Sequence, residues 1–301
     1  MDWAAPDAAV DAPRPPDRAP WQAAAPAGPD RPLPALAPMT MSDLLDGGFA
    51  IIKRAPATIV GLTALFVVPI QLLAAFLNRG VEGFDLDAAL QETNSTFEIG
   101  GGPSTGSGFV LQVGSMLALV VVAAAIARLV SAWYVGHDLT TRELLRGTLP
   151  IAWPLFASWV LVHVLEGVSI IGLGVLPLAV MTWFLVTAPV IGAEGLGPIQ
   201  AMRRSARLVQ RRFWNVLGAA LLGMLVESLF ESAVSLLPQF VSFFVGTEGI
   251  AWVLPAVVGV VTQLVTMPFV AAVTVLIYLD LRVRTEALDL ELRAGEAFAA
   301  A

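Results

Sequence analysis

Between Ile151 and Ala193 the chain runs for about 43 residues with one acidic side chain, Glu166, and no Lys or Arg. A run of that length is twice what a helix rising 1.5 Å per residue needs to cross about 30 Å of hydrocarbon, so it predicts two consecutive crossings. Gly172, Gly174 and Pro177 near its middle mark the turn between them. Backbone polar groups in lipid must be satisfied within the segment, and helices of this length do so without an open edge. Composition agrees: 57% of residues are hydrophobic and 14% charged, an apolar surplus that no soluble core absorbs.

Four further apolar runs complete an all-α, polytopic fold of six transmembrane helices, with spans at 56–77, 109–133, 154–172, 175–193, 213–235 and 252–281. Pro69 and Pro268 fall inside the first and last and are expected to kink them. Residues 1–38, rich in Ala, Pro and Asp, form a tail too poor in large apolar groups to order, with no signal-peptide core. Residues 39–293 form the membrane domain and 294–301 a C-terminal tail. The loop 79–108 is acidic and ends in a Gly/Ser-rich stretch, and the apolar segment 236–250 is read as interfacial or re-entrant.

Net charge is −7, but orientation follows the distribution of cations. With the N-terminus inside and six crossings, Lys53, Arg54, Arg142, Arg146, Arg203, Arg204, Arg207, Arg211, Arg212, Arg282, Arg284 and Arg293 lie inside, and Arg79 alone outside. The prediction is therefore a cytoplasmic N-terminus and a cytoplasmic C-terminus in a cell membrane. Trp133, Tyr134, Trp153 and Trp214 are placed as an inner aromatic belt.

Each outward-going span is preceded by a short amphipathic helix. The first sets Leu44, Leu45, Phe49, Ile51 and Ile52 against Asp43, Asp46, Ala50 and Lys53, with Ser42 as its cap. The second opens on the capping-box pair Thr140 and Glu143. The third, Gly197–Arg212, sets Ile199, Met202, Ala206, Val209 and Phe213 against Arg204, Arg207 and Arg211. Its cations Arg203, Arg204, Arg207, Arg211 and Arg212 are the candidate contacts to anionic lipid headgroups, each contributing about 1 kcal/mol. Three such units point to an internally repeated architecture.

Several stretches resemble the membrane domain named after glycerophosphoryl diester phosphodiesterases: Arg31-Pro32-Leu33; Met41-Ser-Asp-Leu-Leu-Asp-Gly-Gly-Phe49 with Lys53-Arg54-Ala-Pro56; Ala201-Met-Arg-Arg-Ser-Ala-Arg-Leu-Val209 with Phe213-Trp214; and Tyr278-Leu-Asp-Leu-Arg-Val-Arg284 with Glu286-Ala-Leu-Asp-Leu-Glu291. The resemblance covers residues 31–293. It implies a multi-pass helical protein without the soluble phosphodiesterase barrel of fused relatives, and it carries no catalytic residues over to this chain.

Within the spans, ionisable groups are the candidate site, because a charge at the bilayer centre costs at least about 2.5–3.5 kcal/mol. His163 and Glu166 share one helix face, and Glu227 and Glu231 another. If helices three and five are neighbours, the four form one polar cluster. It serves either as an ion, proton or metal site or, preferably, as hydrogen-bonded glue between helices. Arg128 lies near enough to the inner interface to snorkel there. The chain has no Cys and two His, which removes disulfides and most metal sites. Gly101–Gly108 lacks the Lys of a phosphate-binding loop, Asn94-Ser95-Thr96 is a chance glycosylation pattern, and no zinc pair or nucleophile elbow occurs.

The expectation is a non-enzymatic scaffold or accessory factor without cofactor, catalytic residue or bound metal. Its partners are the bilayer, anionic headgroups and other membrane proteins, not nucleic acid. The alternative is a transporter or permease built on the His/Glu cluster.

Overall fold

The computed structural model describes residues 36–78, 106–172, 175–245 and 253–290. Most of the N-terminal tail, most of the loop 79–108 with Arg79 and its Asn-Ser-Thr pattern, Gly174, and the C-terminal residues from 291, Arg293 included, lie outside the described residues. Among the described residues the chain is helical throughout, with no strand. The elements are α1 (Met41–Arg54), α2 (Pro56–Asn78), α3 (Gly106–Tyr134), α4 (Thr141–Thr148), α5 (Ala152–Ser169), α6 (Val175–Phe184), α7 (Thr187–Glu194), α8 (Pro198–Val209), α9 (Phe213–Val245) and α10 (Val253–Glu286). Six helical stretches are long and apolar enough to cross a membrane, as the hydrophobic runs predict.

Two of the six differ in detail from the sequence reading. The fourth span is not one helix: α6 ends at Phe184 and α7 starts at Thr187. Pro189 explains the break, since it has no N–H to give to the carbonyl of Leu185 and its ring crowds that carbonyl. The fifth apolar stretch ends at Val234, close to the expected bound, but the helix that carries it does not. Its helix continues to Val245, so most of the segment 236–250 extends α9 rather than forming a separate interfacial piece. α2 and α10 both run through their internal prolines, Pro69 and Pro268, without ending.

α10 is the central helix. In its apolar window 61% of residues are buried, against 11% in the stretch Thr141–Gly172, and it packs against α1, α2, α3 and α9. Side chains from Met267 to Val283, among them Phe269, Leu276, Tyr278 and Leu281, supply much of the core. The second close pairing is α3 with α7. Ala123, Ala124, Ala125 and Ala127 make this stretch of α3 smooth, and Gly192 lets the α7 backbone lie on it. A Cβ at 192 would sit 2.7 Å from the Ala124 carbonyl carbon and 2.8 Å from its Cα. Small residues are the general means of bringing helices together in lipid, where no hydrophobic force favours one apolar contact over another.

The short helices α1, α4 and α8 gather at one end of the bundle, beside the last turns of α3, α7 and α10. Their hydrophobic faces differ from those drawn on the sequence. α1 is capped by Thr40, not Ser42: the Thr40 hydroxyl accepts from Asp43 N, and the Asp43 carboxylate accepts from Thr40 N at 2.8 Å. It buries Leu44, Gly47, Gly48 and Ile51, while Phe49 is 48% exposed although its ring lies 4.6 Å from that of Phe269. The two glycines decide this face, since a Cβ on Gly48 would meet Val273 Cγ2 at 3.0 Å. α4 opens on the anticipated capping box, with Thr140 N donating to Glu143 at 2.9 Å.

α8 buries Ala201, Met202, Ser205, Leu208 and Val209, leaving Ile199 exposed. The face is rotated from the one drawn on apolar spacing because Ser205 satisfies its hydroxyl on the Trp183 carbonyl at 2.7 Å and so can be buried.

Candidate functional site

The four ionisable residues within the spans do not assemble. On α5, His163 Nδ1 lies 2.9 Å from the Trp159 carbonyl, so that nitrogen carries a proton and Nε2 faces Glu166 at 3.8 Å. That is a loose pairing within one turn of one helix. On α9, Glu227 and Glu231 are half-buried and continue at helical spacing the row of buried Val216, Ala219, Ala220 and Gly223. α6 packs against both α5 and α9, and those two share no comparable interface, so helices three and five are not the close neighbours that a joint cluster requires. Among the described residues no three His or acidic side chains converge into a set able to hold a metal.

Arg128 is half-buried on α3. Its guanidinium reaches toward the short-helix end and lies against Gly147 of α4, where a Cβ would be 2.8 Å from Cζ. Of the aromatic residues placed in a belt, Trp153 and Trp214 are 71% and 78% exposed. Trp133 is buried instead, and the Arg54 guanidinium sits 5.0 Å from its ring centre, so it serves as a cation–π partner inside the protein.

The dense polar chemistry lies at the short-helix end, and it involves residues that spacing alone did not single out. Glu194 closes α7, followed by Gly195 at φ +66°, a left-handed turn that glycine adopts without strain. An acid at a helix C-terminus opposes the helix dipole and calls for a cation. Arg204 of α8 provides it, with Nε 3.1 Å from Glu194 Oε2. The same guanidinium takes the Glu286 carboxylate at the end of α10, with Nη2 2.7 Å from Oε2. Tyr278 donates to Glu194 at 2.9 Å, and Arg282 donates to Glu286 at 3.1 Å. Arg204 is thus not a free headgroup contact: it ties the last turn of α7 to α8 and to the end of α10.

A second tie fastens residue 39. The Met39 N–H donates to Asp280 at 2.7 Å, Arg284 Nε donates to the same carboxylate at 2.7 Å, and Arg284 Nη2 donates to the Met39 carbonyl at 2.8 Å. The other candidate arginines separate by exposure. Arg203, Arg207 and Arg211 are exposed, whereas Arg212 is half-buried at the start of α9. Glu194, Tyr278, Asp280 and Glu286 were missed as a group. The spacing of Asp280 with Arg284 and of Arg282 with Glu286, four residues apart on one helix, is the signal that marks two of these pairs in the sequence.

At this end of the molecule Arg203, Arg207 and Arg211 are exposed, Trp214 follows them exposed at the start of α9, and Arg204 is held in paired charges. No family model, no curated protein and no solved structure matches the chain.

Proposed function

We propose that this is a non-catalytic scaffold or accessory protein of a bacterial cytoplasmic membrane, with the α1, α4 and α8 end in the cytoplasm serving as its docking surface for anionic lipid and for other membrane proteins. The observation that carries the reading is the division of labour among the arginines. Arg204, Arg282 and Arg284 are consumed by intramolecular pairs, while Arg203 and Arg207 of α8 and Arg211 of the turn after it are exposed, shortly before the exposed Trp214. Exposed cations next to an exposed tryptophan suit a headgroup layer, where the ring takes the boundary and the guanidinium groups meet phosphate. The cation distribution along the chain supports the same orientation, and the resemblance to the diesterase-associated membrane domain is compatible with it.

The transporter reading has weaker support, because it requires His163, Glu166, Glu227 and Glu231 at one place, and they occupy two helices separated by α6. The test of the docking reading uses the full chain in nanodiscs of mixed phosphatidylglycerol and phosphatidylcholine. Replacing Arg203, Arg207 and Arg211 together by Gln is expected to abolish enrichment of the anionic lipid around the protein. Undiminished enrichment would sink the reading.

A further inference from the structure

The arginine that stands apart from this division is Arg212. It ends the turn Gln210–Arg212 between α8 and α9, one residue before the apolar span opens and two before the exposed Trp214. Unlike Arg203, Arg207 and Arg211 it is half-buried, and unlike Arg204, Arg282 and Arg284 it has no carboxylate. Among the described residues it makes no ion pair or hydrogen bond. Its guanidinium keeps contact with solvent and has no counter-charge on the chain, so it is open to an anion from outside.

Arg212 lines a crevice between α1, α9 and α10, together with Asn215, Met41, Leu44, Asp280 and Arg284. Asp280 is the one acid in this lining, and its charge is spent: Oδ1 accepts from Met39 N and from Arg284 Nε, and Oδ2 accepts from Arg284 at 2.9 Å. The crevice consequently keeps an uncompensated positive charge at Arg212, with the Asn215 amide one helical turn away as a further donor. Its volume is about 50 Å³. One water needs roughly 10–15 Å³ on this scale, so the space suits a group the size of a phosphate and is far below the several hundred Å³ of a metabolite pocket. Its other walls, Met41, Leu44 and Ile277, are apolar, and further along the same side of α9 come the half-buried Leu222 and Val226 and the exposed Leu229.

We infer that this crevice seats the phosphate of one anionic phospholipid, held by Arg212 and Asn215, with the acyl chains running along α9 past Leu222 and Leu229. The assignment rests on the reading that places this end of the bundle in the headgroup layer. It differs from that reading in naming one saturable site rather than a diffuse basic surface. A free phosphate would gain nothing from the apolar walls, whereas a lipid uses both parts.

The experiment titrates the purified full chain in detergent with phosphatidylglycerol, phosphatidylcholine or soluble glycerol phosphate, counting bound molecules by native mass spectrometry. The expected result is one tightly bound phosphatidylglycerol, weakened about tenfold by Arg212→Gln, the order of one lost charge-assisted contact, and largely kept in Arg212→Lys. Should Arg212→Gln fail to elute as a folded species, Asn215→Leu provides the same comparison with a smaller loss. Wild-type affinity in both variants would overturn the site, as would glycerol phosphate binding as tightly as the lipid. The triple variant at Arg203, Arg207 and Arg211 keeps the outcomes distinct. Loss of lipid there but not in Arg212→Gln leaves the surface reading standing and refutes this seat; no preference for the anionic lipid in any protein refutes both.

Discussion

At the scale of single residues, two glycines make opposite predictions. Gly192 faces the backbone of Ala124, which cannot turn aside, so Gly192→Ala must push α7 off α3. Overpacking of this kind costs about 1–3 kcal/mol. Gly147 faces the end of the flexible Arg128 side chain, so Gly147→Ala displaces a guanidinium and recovers about 0.5–1 kcal/mol of helix propensity. Thermal unfolding in detergent should show a clear fall for the first and little change for the second. Neither glycine stands out in the sequence, because a close approach is set by the partner helix and not by neighbours along the chain. Arg204 offers a third test. Arg204→Met leaves Glu194 and Glu286 facing each other, and the same melts should drop by about 1–3 kcal/mol, the range for stranding a partly buried charge. Restoring stability by adding Glu286→Gln to Arg204→Met would locate the loss in the stranded acids.

At the scale of elements, the start of α1 is pH-sensitive. Thr40 holds the Asp43 carboxyl below its ordinary value, first through its backbone N–H and then through its hydroxyl. A depressed carboxyl stabilises the fold above the unfolded-state value and loses that contribution as pH falls through the folded one. Protection of the first-turn amides of α1, taken relative to the intrinsic exchange rate at each pH, should therefore fall below about pH 4, and Asp43→Asn should remove that fall. Thr40→Ala should cost about 1 kcal/mol at neutral pH. The capping box at Thr140 was legible because Glu143 completes the usual pattern. At α1 the reciprocal acid is the shorter Asp43, and Ser42, standing nearer the apolar run, drew the assignment. The faces of α1 and α8 were misread for a related reason: apolar spacing overlooks Gly47, Gly48 and Ser205, which can be buried because they are small or hydrogen-bonded.

At the scale of the whole molecule, the six apolar stretches were legible because crossing hydrocarbon demands length and apolarity, both local properties. Neighbour relations were not. Shared faces pair His163 with Glu166 and Glu227 with Glu231, but a face says nothing about which helices touch, and α6 lies against both α5 and α9. The proposed orientation has its own check: a reporter fused after Ala301 should be active in the cytoplasm, and activity on the opposite side would refute an even number of crossings.

The two ends of the described chain meet, since Met39 is tied to Asp280 and Arg284 across 241 and 245 positions. During synthesis α1 leaves the ribosome long before α10 exists, so its glycine face waits without a partner while every intervening span is inserted. Final closure is then a late step that depends on translation having reached about residue 286, and nascent chains halted earlier should remain open to protease near Gly47 and Gly48.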